Sequence, residues 1–182
     1  GAGWTVTATE IDATRYQGAA KAGREAAAAG DNSQAVAHFD EALRLWRGIP
    51  ELPDGPRGDA ERTRWIESHA GVVEDRADAL LATGRAAEII GELEAAVAEA
   101  PLRERRWGHL MLALYRAGRQ GEALGAYQRA RSLLANDLGV DPGPDLRRLE
   151  AAIVTQDDAL ELPVSQRLSA VTRAVTFLLT DI

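Results

Sequence analysis

The sequence predicts an all-α fold, an array of three helix pairs closed by a capping helix, and three observations carry the prediction. Apolar residues recur at steps of three and four, the period of one helical face. Gly30, Gly84 and Gly118 are each followed at +5, +9 and +12 by residues suited to a buried face: Ala35, Phe39 and Ala42; Ile89, Leu93 and Ala96; Ala123, Tyr127 and Ala130. Composition agrees, since the 182 residues are 46% hydrophobic with only two Phe, and alanine dominates. Alanine is the best helix former and lets helices approach closely.

Taken in order, residues 1–11, GAGWTVTATEI, are short, Thr-rich and β-branched. Asp12 is placed to cap a helix from Ala13 to Ala29, and Gly30-Asp31 to end it and cap the next, Asn32 to Trp46. From Arg47 to about Arg64, three prolines and three glycines forbid a continuous helix and predict an ordered loop. Helix then resumes, with Ile66, Ala70, Val73, Ala77 and Leu80 as its apolar stripe. Pro101 closes the second pair. Trp107, Leu110, Met111 and Leu114 form the inner face of the next helix, and Ala123, Tyr127, Ala130 and Leu134 that of its partner. Gly84 and Gly118 are 34 residues apart, and the W-x2-L and A-x3-Tyr spacings after Trp107 and Ala123 are those of tetratricopeptide (TPR) pairs. Gly30 and Gly84 are 54 apart, so about 20 residues are inserted after the first repeat. Pro144 starts a final helix with Asp145 near its positive end, and Leu146, Leu149 and Ile153 cover the last repeat. The expected whole is a TPR-like, right-handed curved array over residues 12–160.

The run LALYRAGRQGEALGAY from Leu112 to Tyr127, followed by LGVDPGPDL from Leu138 to Leu146, resembles the C-terminal half of the bacterial transcriptional activator domain (BTAD). That domain belongs to Streptomyces antibiotic regulatory proteins (SARPs) and their actinobacterial relatives. Leu45-Trp46-Arg47-Gly48 occupies the place the family gives it. The resemblance covers about residues 10 to 160, and it implies a cytoplasmic regulator of transcription. Gly3-Trp4-Thr5-Val6 is similar to the closing strand of the OmpR-type winged-helix domain that precedes this module in the family, with a frayed tail as the other reading of residues 1–11. Residues 161–182 form a linker and tail in which Val175 to Ile182, VTFLLTDI, resembles the first strand of class III nucleotide cyclases. There Asp181 would be a metal ligand, with a role only in a longer protein.

Chemistry of other kinds finds little support. His38, His69 and His109 lack metal-ligand spacing, and there is no G-x-S-x-G, G-x-x-x-x-G-K or G-x-G-x-x-G. The expectation is a chain that is not an enzyme and holds no cofactor or metal. With no cysteine, disulfides and thiolate chemistry are excluded, and no stretch is long and apolar enough to span a membrane. A net charge of −7 argues against general nucleic-acid binding, because neutralising phosphate supplies most non-specific affinity.

Three surfaces merit scrutiny. Glu74, Asp75 and Asp78 gather acidic charge on one helix, read as a solvated outer face rather than a cation site. Arg103 to Arg131 carries seven Arg against Glu104 and Glu122. Arg103, Arg105 and Arg106 at a helix start, with Arg116 and Arg119 at a turn, either meet phosphate or an acidic partner or bridge to neighbouring acidic helices. Trp46 and Trp65 bracket the Pro-rich loop and either anchor a partner or clamp the loop on the core. With Arg47, these residues make the expected interaction surface.

The resemblance implies transcription activation through protein contacts: self-association, positioning of the winged-helix domain, or contact with RNA polymerase, with DNA reached only through that winged-helix domain. The tail suggests another role, a TPR-like module regulating an attached cyclase-like domain.

Overall fold

A computed structural model of the chain describes residues 8–161, with only the backbone of residues 8–11. The expected N-terminal remnant at residues 1–7 and the tail at 162–182, including the cyclase-like strand and Asp181, lie outside the described residues. Among these the secondary structure is entirely helical: α1 (Ala8–Ala28), α2 (Asn32–Leu45), α3 (Pro56–Ala82), α4 (Ile90–Glu99), α5 (Glu104–Arg116), α6 (Gln120–Leu138) and α7 (Pro144–Thr155), with 3-10 turns at Ala86–Ile89 and Asp158–Leu160. The fold is all-α and TPR-like, three successive helix pairs followed by a capping helix. The described residues divide into two compact units, which part between Ala79 and Leu80.

One local device ends the first helix of every pair. Gly30, Gly84 and Gly118 have φ of 81°, 81° and 75°, the left-handed region that a Cβ disfavours. At each, the glycine N–H donates to the carbonyl three residues back, and the following N–H donates five back: Gly30 to Ala27 and Asp31 to Ala26, Gly84 to Leu81 and Arg85 to Leu80, Gly118 to Tyr115 and Arg119 to Leu114. These are Schellman turns, which satisfy the carbonyls a helix end orphans. The shared spacing in sequence is thus a shared hydrogen-bond pattern. Of the nine residues at the three offsets, eight are buried and Ala96 is half-buried.

In the first unit α1 packs along α2, with Tyr16, Ala20, Ala35, Phe39 and Ala42 in the core. The Asp31 carboxylate caps α2 by accepting from the Gln34 N–H at 2.9 Å, as its position predicts. Asp12 does not cap α1, which begins at Ala8 and carries Asp12 within it. The stretch 56–79 of α3 is tied to this hairpin by Arg24 Nε donating to Asp75 at 2.8 Å and Arg76 Nε to Asp40 at 2.5 Å.

The loop after α2 is shorter than expected, because α3 starts at Pro56 rather than near Arg64. A proline lacks the N–H that the first turn cannot use, so it opens a helix that it would break elsewhere. Gly58 lets the loop fold back there: a Cβ on it would stand 1.7 Å from the Pro53 carbonyl oxygen. The buried stripe of α3 also differs from the expected one. Ala70, Ala77 and Leu80 are buried as expected, but Ile66 is 50% exposed and Val73 half-buried, and Trp65, Val72 and Ala79 face inward in their place.

In the second unit α5 packs on α4 and α6, and α7 lies across α5 and α6. Trp107, Leu110, Met111, Leu114, Ala123, Ala130 and Leu134 are buried, with Leu146 and Ile153 of α7 over them, while Leu149 is only half-buried. Pro144 opens α7 as expected. The Gly143 N–H donates to the Glu104 carboxylate at 2.7 Å, and Gln120 Nε2 donates to the Ile153 carbonyl at 2.8 Å, fixing both ends of the cap.

Candidate interaction surface

Trp46 and Trp65 do bracket the loop, and they meet. Tyr16 of α1, Trp46 after α2 and Trp65 of α3 form a triangle of rings with centroids 5.2, 5.8 and 6.0 Å apart, each tilted 42–51° to its neighbour. His69, one turn beyond Trp65, stacks on Trp46 at 4.4 Å. Tilted contacts of this kind match the positive edge of one ring to the negative face of the next. Tyr16 and Trp65 are buried and Trp46 is half-buried, so the loop is clamped while one indole remains partly in reach of solvent. The Tyr16 hydroxyl lies 3.4 Å from Ser68 Oγ. Burial pushes the Tyr16 phenol above its ordinary pKa of about 10, against the smaller opposing pulls of Ser68 and the Arg24 charge.

A pocket with a cavity volume of about 120 Å³, open to solvent, lies against this triangle, with Leu45, Pro50 and Ala13 completing its apolar wall. Asp12 and Arg47 line it too, one acidic and one basic group beside aromatic faces. Sequence reasoning found Trp46, Arg47 and Trp65 and missed Tyr16, Asp12 and His69. Tyr16, Ala20 and Gly23 recur at steps of four and three, which marks Tyr16 as inward-facing, but nothing local indicates which rings it meets.

The arginines expected at the surface divide. Arg106 is 4% exposed: its guanidinium donates to the Ala96 carbonyl at 2.8 Å and to Glu99 at 3.2 Å, which removes it from any interaction surface. Arg116 is half-buried and donates to the carbonyls of Leu81 and Leu160 at 2.9 and 2.8 Å. Desolvation lowers its pKa, partly offset by the nearby Glu161 charge. Arg119 is exposed and pairs with Glu122 at 2.5 Å; that hydrogen bond raises the Arg119 pKa and lowers that of Glu122. Arg103 is half-buried and Arg105 exposed. Arg129 pairs with Glu94 at 2.9 Å and lies over the Trp107 ring, 5.3 Å from its centre. Bridging within the fold therefore takes up much of this basic run.

The acidic run on α3 is solvated only at Asp78, which is exposed. Glu74 is 6% exposed and Asp75 is held by Arg24, because both lie on the side of α3 that packs inward. Among the described residues no group of three or more His, Cys, Asp or Glu could hold a metal ion, and no helix is long and apolar enough to cross a membrane.

Helical hairpins repeated on one turn, with an aromatic-walled pocket formed by the first hairpin and α3, define a TPR-like domain. The sequence profile of the bacterial transcriptional activator domain matches residues 11–154, and the chain belongs to that family. It is 43% identical over 158 residues to the regulatory protein AfsR of Streptomyces griseus, covering 86% of this chain and 16% of AfsR. It is 41% identical over 165 residues to the transcriptional regulatory protein EmbR of Mycobacterium tuberculosis, covering 90% of this chain and 41% of EmbR. The solved structure of M. tuberculosis EmbR in complex with a low affinity phosphopeptide superposes with a TM-score of 0.75 at 40% identity, over 93% of this chain and 44% of that one. The chain thus spans less than half the length of these relatives, which by name are regulators rather than enzymes. Nothing in these relatives supports the cyclase-regulating reading.

Proposed function

We propose that this chain is the protein-contact module of a larger cytoplasmic transcriptional regulator of the SARP type. It supports activation by self-association or by contacts to an adjoining winged-helix domain or to RNA polymerase. The observation that carries this reading is family membership across residues 11–154, nearly the whole of the helical array from α1 to α7. DNA is reached through the winged-helix domain, outside this chain, and the module itself performs no catalysis and needs no cofactor. The interaction surface comprises Trp46, Arg47 and Trp65, with Arg103, Arg105 and Arg119 as a second, basic set; Arg106 and Arg116 support it from within. The test compares, in the full regulator, reporter transcription with and without residues 11–160, alongside promoter binding. Loss of activation with promoter binding retained is expected, and undiminished activation after the deletion would overturn the reading.

A further inference from the structure

The aromatic-walled pocket is more than a clamp on the loop. Its three rings brace one another at 5.2–6.0 Å, so the cavity is formed before anything enters it, which lowers the ordering cost of binding. Its cavity volume of about 120 Å³ lies below the few hundred Å³ of small-molecule sites and suits one side chain better than an extended molecule. The apolar surface continues past the mouth: Ile49, between the lining residues Gly48 and Pro50, is 38% exposed. A small ligand would leave that rim wet, whereas a polypeptide lying across it would cover it. Tryptophan, tyrosine and arginine are also the residues on which protein interfaces concentrate their affinity.

The charge at the mouth selects the partner. Arg44 is held by Glu41 and Arg76 by Asp40, but Arg47 is exposed and makes no hydrogen bond or ion pair among the described residues. Asp12, half-buried on α1, is the one acidic group in the pocket's lining. We propose that this pocket anchors one apolar side chain of a partner protein, borne on a segment whose next residue is acidic and meets Arg47. This rests on the protein-contact reading above and gives it a place and a chemistry.

The experiment titrates the isotopically labelled chain with the hexapeptide Gly-Ser-Leu-Glu-Ser-Gly and follows the indole N–H resonances of Trp46 and Trp65. Both are expected to shift, with the effect lost when Leu is replaced by Ala and weakened about threefold to fivefold when Glu is replaced by Lys. In the Arg47→Glu chain, whose altered residue is exposed, the preference should invert toward Lys. Ile49→Asp should weaken binding of either peptide. Unmoved indoles, a Glu preference indifferent to Arg47→Glu, or equal binding of free leucine would overturn the proposal. If the peptide fails while deletion of the module still abolishes activation, this inference falls and the protein-contact reading stands; peptide binding with the charge swap, in a module dispensable for activation, is the reverse result.

Discussion

Tyr16 joins two tasks in one side chain: its ring completes the wall of the pocket and its hydroxyl sits beside Ser68. Its pKa is raised chiefly by desolvation, so the sign of its effect on stability is fixed. Below about pH 10 the phenol is neutral in folded and unfolded chains, and its burial stabilises in full. Above that, unfolded chains lose the proton first, and stability falls as pH rises through the folded value. The urea midpoint should therefore drop more steeply above pH 10 in the native chain than in Tyr16→Phe; parallel curves would contradict the assignment. Gln156 makes a different residue-scale point. It ends α7 with φ of 53°, where the three hairpin turns use glycine. Its side chain is held by Gln120 at 3.1 Å, a compensation that no spacing rule foretells.

Among the elements, the loop between α2 and α3 is where sequence reasoning and structure part. The prolines and glycines were legible as loop chemistry, but the same residues also start a helix, and only the approach of Gly58 to the Pro53 carbonyl decides the boundary. Gly58→Ala forces a Cβ against backbone that cannot rotate away. It should cost about 2 kcal/mol or more and lower the melting temperature by roughly 4–8 °C, measured by calorimetry. An unchanged midpoint would mean that the loop seats differently. The helix pairs themselves were legible for a physical reason: a left-handed turn favours glycine, and a fixed turn sets the phase of the helix after it. The stripe on α3 was read correctly at Ala70, Ala77 and Leu80 and missed at Ile66 and Val73, where Trp65 and Val72 face inward instead.

Over the whole molecule, charge was the least legible quantity. A run of seven arginines looks like a surface, yet Arg106 and Arg116 spend their donors on main-chain carbonyls, partners that carry no signature in sequence. What remains outward-facing belongs to a chain of net charge −7. In mobility-shift assays the chain alone should bind duplex DNA weakly and without sequence preference, weakening further as salt is added; tight binding to one promoter would refute this. Family and fold were legible because hairpin spacing and the LGVDPGPDL segment are local. The pocket was legible only in part, because Trp46 and Trp65 are loop landmarks whereas Tyr16 reaches them from 30 residues before Trp46.

The ring triangle has an optical consequence. Transition dipoles held 5.2–6.0 Å apart at fixed tilts couple, so Tyr16, Trp46 and Trp65 must give a strong near-ultraviolet dichroic band that helices do not. That band gauges the seating of the loop separately from helical content, and it fades when the loop lifts even if every helix stays wound.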